Sequence, residues 1–166
     1  REKDGTLNSY AEIISSLLSQ THIDAINIPE VRDESMRGAR PVKNKTRAEP
    51  REFGKLLQDI VGIEAIVNRV VVHQPIEEEI NWIEETYTIY EIENLIVVGG
   101  ESSKINYIGP TVNSALRAIN SRIDTNGCDI FCGGITIPSR LKESKSLINK
   151  SKNGSEFFTT QVLYDS

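Results

Sequence analysis

The sequence predicts an α/β fold built on a parallel sheet with crossover helices. Three observations predict it. Short runs rich in β-branched residues alternate with amphipathic stretches of helical period along the whole chain. The run from Asn94 to Val98 is almost wholly apolar, which suits a parallel strand buried on both faces. Two of the runs end in glycine pairs, Gly99-Gly100 and Gly133-Gly134, which let backbone approach a neighbour closely.

Taken in order, Asn8 or Ser9 is placed to cap a first helix with Tyr10, Ile13, Ile14, Leu17 and Leu18 on its apolar face. Asp24 to Ile28 reads as a short strand stopped by Pro29. A polar stretch from Glu30 to about Pro50 follows. Arg51 to Val61 reads as a helix presenting Phe53, Leu56, Leu57 and Ile60, and Glu64 to Val72 as a strand rich in Val and Ile. Pro75 opens a helix in which Ile76, Ile80, Ile83, Tyr87 and Tyr90 recur with a period near 3.6. Its glutamates, Glu77, Glu78, Glu79, Glu84 and Glu85, are expected on a solvated outer face. After the strand at Asn94–Val98, a helix beyond Pro110 turns Val112, Ala115, Leu116 and Ile119 inward. A strand spans Asp129–Cys132, and Ser139 caps a helix that Asn153-Gly154 terminates. Glu156 to Leu163 is the last strand. An open doubly wound sheet and a barrel both fit this alternation. No strand precedes the first helix and no helix follows the last strand, so the chain is expected to be cut at both ends.

The chain has 166 residues, with 38% hydrophobic and 26% charged, enough for a single domain over 1–166 with a real core. A net charge of −5 argues against a nucleic-acid partner. No apolar run nears the roughly 18 residues of a membrane span, and no signal-peptide pattern is present, so a cytoplasmic location away from membranes is expected. Cys128 and Cys132 lack zinc-ligand spacing and read as reduced core cysteines, with no metal site expected.

The stretch Gly133-Gly-Ile-Thr-Ile-Pro-Ser-Arg140, followed by Glu143, Lys150 and Gly154-Ser-Glu-Phe-Phe-Thr-Thr-Gln161, resembles the methylenetetrahydrofolate reductase family. That family shows a Gly-Gly-x-x-Ile-Pro-x-Arg-like stretch and a Gly-Ala-Asp-Phe-Phe-x-Thr-Gln-like strand at this separation. The resemblance implies a (β/α)8 TIM barrel, of which the chain covers strands two to six. It implies an oxidoreductase reducing 5,10-methylenetetrahydrofolate with FAD (or FMN) and a reduced nicotinamide, as a homo-oligomer or with a partner subunit. By the same resemblance Gln161 and Glu101 bind the folate, with Glu101 the catalytic candidate that tunes the flavin. Glu143 and Lys150 hold the flavin's ribose and phosphates. The sequence departs from the family pattern at three places: Asn68 or a neighbour replaces a flavin-contacting His, Gly99 replaces an Arg, and an aromatic and a His are missing around Gly134 to Pro138. The family's general acid falls upstream of Arg1.

The strand assignments by themselves place Glu30, Gly100-Glu101, Gly133-Gly134 and Gln161 at strand C-terminal ends, where such folds bind ligands. Glu30 is therefore a substrate-binding candidate, and Gly100 and Gly133 are candidates for close contact with a cofactor. The stretch from Arg37 to Lys55 holds seven basic residues, Arg37, Arg40, Lys43, Lys45, Arg47, Arg51 and Lys55, against Glu49 and Glu52. Such a balance attracts anions, such as a polyglutamyl folate tail or a cofactor phosphate. The alternative function is a non-redox folate- or methyl-pterin-binding domain that serves a transferase or accessory role.

Overall fold

A computed structural model describes residues 6–18, 21–32, 34–35, 38–39, 48–100 and 104–160. The elements run α1 (Leu7–Leu18), β1 (Ala25–Ile28), β2 (Glu34–Ser35), β3 (Gly38–Ala39), α2 (Pro50–Val61), β4 (Glu64–Val70), a 3-10 turn at Val71–His73, α3 (Ile76–Thr88), β5 (Asn94–Val98), α4 (Val112–Asn126), β6 (Phe131–Thr136), α5 (Glu143–Lys152) and β7 (Phe157–Thr160).

Five strands form one all-parallel sheet in the order β1-β4-β5-β6-β7, while β2 and β3 make a separate antiparallel pair. Spatial order follows chain order. Every crossover therefore steps the same way, and right-handed crossovers then put their helices on one face. The sheet curls but does not close. β1 and β7 each have a single neighbour, so the (β/α)8 barrel expected from the sequence is corrected to an open, curled, five-stranded α/β half-barrel. Five strands cannot supply the ring of eight that a barrel of that class requires.

Helix and sheet boundaries have local causes. Glu49 caps α2, its carboxylate accepting from the Arg51 and Glu52 backbone N–H groups, and Pro50 sits in the first turn where its missing N–H costs nothing. Gly62 ends α2 with φ +74°, a conformation other residues adopt reluctantly. Two apolar clusters fill the space between sheet and helices. One, under α1 and α2, includes Ala11, Ile28, Leu57, Ala65, Val67 and Ile92. The other, under α3 and α4, is centred on Leu95, Val97, Leu116 and Ile119.

Several expectations shift in detail. α1 starts at Leu7, with Thr6 rather than Asn8 or Ser9 accepting from a first-turn N–H. It turns Ala11 inward, leaving Tyr10, Ile13 and Leu17 exposed, because its inner side packs against α2. The strand expected at Asp129–Cys132 runs from Phe131 to Thr136. α5 starts at Glu143, after turns that leave Leu141 87% exposed. Both cysteines are buried thiols, and burial pushes Cys132 up to about 12, well out of the range of a reactive thiol.

Candidate functional site

Alternation along β4 divides the residues near the strand ends into two sets. Ala65, Val67 and Arg69 face the helices, whereas Glu64, Ile66, Asn68 and Val70 face the opposite side. Arg69 is thus an arginine at the end of an apolar row, 4% exposed. Its Nε and Nη2 donate to the Glu79 carboxylate at 2.7 and 3.0 Å, and Nη2 also reaches Gln74. Its Nη1 donates to Glu30 at 3.1 Å, and its guanidinium lies 4.4 Å from the centroid of the Trp82 ring. Glu79 is fully buried. This corrects the solvated face expected for that glutamate. One turn into α3, it is turned inward by the charge it must meet, since a buried guanidinium persists only when paired.

Glu30 follows β1 on the same helix side. Its two oxygens accept from Arg69, from Arg32 at 2.5 Å and from the Val70 N–H at 2.6 Å. The substrate candidate at Glu30 is therefore a tie across the ends of β1 and β4. Beside it Arg51 donates to Glu49, to the Trp82 carbonyl and to Glu85, and lies over Trp82 and Tyr90 at 4.4 and 4.7 Å. Lys55 pairs with Asp59 and Glu91, and these partners raise its pKa. The two basic residues of the 37–55 stretch that lie in the described structure, Arg51 and Lys55, are thus already committed to carboxylates. Arg37, Arg40, Lys43, Lys45 and Arg47 lie outside the described residues.

The helix-free face differs in character. Across β4, β5, β6 and β7 the register aligns Asn68, Ile96, Gly133 and Phe157 in one row, with Val70 and Val98 and then Ile135 and Thr159 in the next. Ile96 is fully buried, and Phe157 stacks on Phe131 with centroids 4.9 Å apart. In this apolar setting the Asn68 Oδ1 and Thr159 Oγ1 atoms are enclosed without a hydrogen-bond partner. Buried polar atoms are nearly always paired, so each of these two, on strands three apart in the sheet, marks a point where a ligand's polar group fits.

The remaining candidates fall in two groups. The bare α-carbon of Gly133 is covered by the Phe157 ring, which a β-carbon would meet at 2.4 Å, and Gly100 lies equally tight against the Tyr107 ring. The close approach that these glycines permit is to aromatic rings of the chain itself. Glu143 and Lys150 are both buried below the β6–α5 loop. Glu143 accepts from the Ile137 N–H at 3.1 Å, and the Lys150 ammonium donates to the Ile135 carbonyl with Glu143 3.9 Å away. Burial lowers the Lys150 pKa from its usual value, partly offset by Glu143. Glu101 and Gln161 lie outside the described residues. Sequence reasoning passed over Arg69, Thr159 and Trp82. The parity of an arginine inside a strand of alternating burial was the available signal for the first.

No protein-family model matches the chain, and no curated protein is similar to it at a significant level. No described helix is long and apolar enough to cross a membrane, and no cluster of metal-ligating side chains occurs among the described residues.

Proposed function

We propose that the protein binds a reduced one-carbon folate and acts as a methylenetetrahydrofolate reductase-like oxidoreductase. The observation that carries this reading is the helix-free face, where Asn68 and Thr159 offer open polar valences among Ile96, Phe131 and Phe157. A flat heterocycle with polar edges suits such a surface: its faces take apolar contacts and its polar groups exchange hydrogen bonds with the amide of β4 or the hydroxyl of β7. The resemblance of residues 133–161 supports the same ligand class.

In the proposed reaction a hydride passes from a reduced nicotinamide to the methylene carbon. The bond from that carbon to N10 breaks and N10 takes a proton, leaving a methyl group on N5. The flavin that the resemblance implies does not fit Glu143 and Lys150 as they stand. Both are buried below their own loop: Lys150 donates to the Ile135 carbonyl, and one Glu143 oxygen accepts from the Ile137 N–H while the other is enclosed with no hydrogen-bond partner and the Arg140 guanidinium 3.8 Å away, so neither reaches the surface where a ribose or a phosphate would lie. The same misfit favours a second reading, a folate-binding domain without redox chemistry.

The test is to follow the nicotinamide absorbance on mixing the protein with methylenetetrahydrofolate and NADH or NADPH, with and without added FAD. Folate binding is measured in parallel by calorimetry. Folate-dependent nicotinamide oxidation is the expected result. Binding without oxidation would transfer the assignment to the second reading, and absence of both would end the folate assignment.

A further inference from the structure

The sheet has two open edges, β1 and β7, each with one neighbour and each four residues long. We propose that a second copy of this chain covers them head to tail, with β7 and α5 of one copy set against β1 and α1 of its partner. The surface consists of the end helices and edge strands, so it stands apart from the folate reading.

The end helices carry the first observation. α1 packs on α2 and α5 packs on α4, as neighbouring helices do along the sheet. Each also has an outer flank where large apolar side chains are exposed. On α1 these are Tyr10, Ile13 and Leu17, at offsets of three and four residues. At α5 they are Leu141 and Ile148, 87% and 54% exposed, with Lys145 between them at helical spacing. Apolar side chains grouped on one flank mark a contact surface, whereas single ones do not. In a right-handed crossover the helix leading into a strand lies toward the strand before it. α1, which leads into β1, therefore lies toward the free edge of β1. A β7 strand added beside that edge brings its own α5 alongside the exposed flank of α1.

Charge decides which edge meets which. The described residues of the first end, 6–18 and 21–28, include Glu12 and Asp24 and neither lysine nor arginine. At the other end, residues 137–160, Arg140, Lys142, Lys145, Lys150 and Lys152 stand against Glu143 and Glu156, a net of three positive charges. In a chain of net charge −5 this basic end is the exception. Joining two like ends sets like charge against like, and joining opposite ends sets the basic flank against the acidic one. Strand direction agrees. β7 and β1 are opposite edges of one parallel sheet, so they pair across copies in the same parallel sense as their neighbours within it. Because the sheet curls as a half-barrel, a twofold pair makes both joints at once and leaves no strand edge exposed.

The test is sedimentation equilibrium of the full chain over a range of concentrations. A dimer of twice the 18.6 kDa chain mass is expected. Glu12→Lys, and separately the pair Lys145→Glu with Lys152→Glu, are each expected to raise the dissociation constant at least tenfold. All three residues are exposed, so the fold is kept, and a thermal melt of each variant checks it. Combining the three substitutions swaps the charges across the joint and is expected to restore the dimer. A short thiol cross-linker maps the contact, since both native cysteines are buried. A mixture of the Ile13→Cys and Ile148→Cys proteins is expected to cross-link, and neither alone. A monomer at every concentration, unchanged association in the charge-reversed variants, no recovery in the combined one, cross-linking of either cysteine variant by itself, or assemblies larger than a dimer would overturn the proposal.

Discussion

The two faces of the sheet end in opposite ways. On the helix side, at the ends of β1 and β4, nearly every polar valence is filled: Arg69 alone joins Glu30, Gln74 and Glu79. On the helix-free side, Asn68 of β4 and Thr159 of β7, three strands apart, keep polar atoms enclosed and open. The first arrangement fixes geometry, since a saturated buried network has one low-energy arrangement. The second keeps a binding capacity whose cost the rest of the fold must carry.

The largest expected effect breaks the saturated side. Arg69→Met leaves Glu79 and Glu30 without their shared cation, and truncating one partner of a buried ion pair costs about 3–5 kcal/mol. Denaturant unfolding should register that loss in its midpoint. The double variant Arg69→Met with Glu79→Leu should recover much of it, because the remaining penalty comes from the stranded charge.

Next in size is Gly133→Ala. A methyl group there meets the Phe157 ring at 2.4 Å, and overpacking of this kind costs about 1–3 kcal/mol. Adding Phe157→Leu should relieve most of the strain, and a thermal melt of both variants checks the pairing.

These two sites also show what the sequence makes legible. The strands at Ala25–Ile28 and Asn94–Val98 follow from apolar runs and flanking breakers, and α2, α3 and α4 follow from period and caps. Glu79 was misplaced because helical period ranks residues by hydropathy, and a carboxylate that neutralises a buried arginine looks the same as one in water. Only strand parity at Arg69, read together with α3, reveals it. α5 starts late because the backbone from Ile137 to Lys142 is tied down by its own turns and by Glu143, contacts without local periodicity. Closure of a sheet depends on strand number, which local pattern does not report. Of the candidate site, strand-end position was legible for Gly100, whereas Gly133, expected at a strand end, lies inside β6 because that strand runs on to Thr136, and the rings lying against both come from residues distant in sequence.

A subtler comparison uses pH. The Lys150 pKa is lowered from 10.5, mainly by burial, so at alkaline pH below that value the unfolded chain binds more protons at this residue than the folded one. Its contribution to stability therefore rises with pH from the lowered pKa up to 10.5. Cys132 acts in the opposite sense. Its pKa is raised from 9.0 to about 12, so its contribution is full below pH 9 and is lost as pH climbs toward 12. The difference between wild type and Lys150→Met isolates the lysine, and denaturation midpoints from pH 8 to 10.5 should converge or cross in the direction of a more favourable wild type as pH rises.

The smallest change in stability is expected on the open side, and it tests the central claim that the helix-free face holds the folate. Asn68→Leu removes an enclosed oxygen that has no partner, so stability should stay level or rise by about 1 kcal/mol. The decisive measurement is calorimetric titration of wild type and Asn68→Leu with 5-methyltetrahydrofolate. Binding to the wild type is expected, with at least tenfold weaker binding, about 1.4 kcal/mol, to a variant that is no less stable. Equal affinity in the two proteins, or no binding to the wild type, would contradict it.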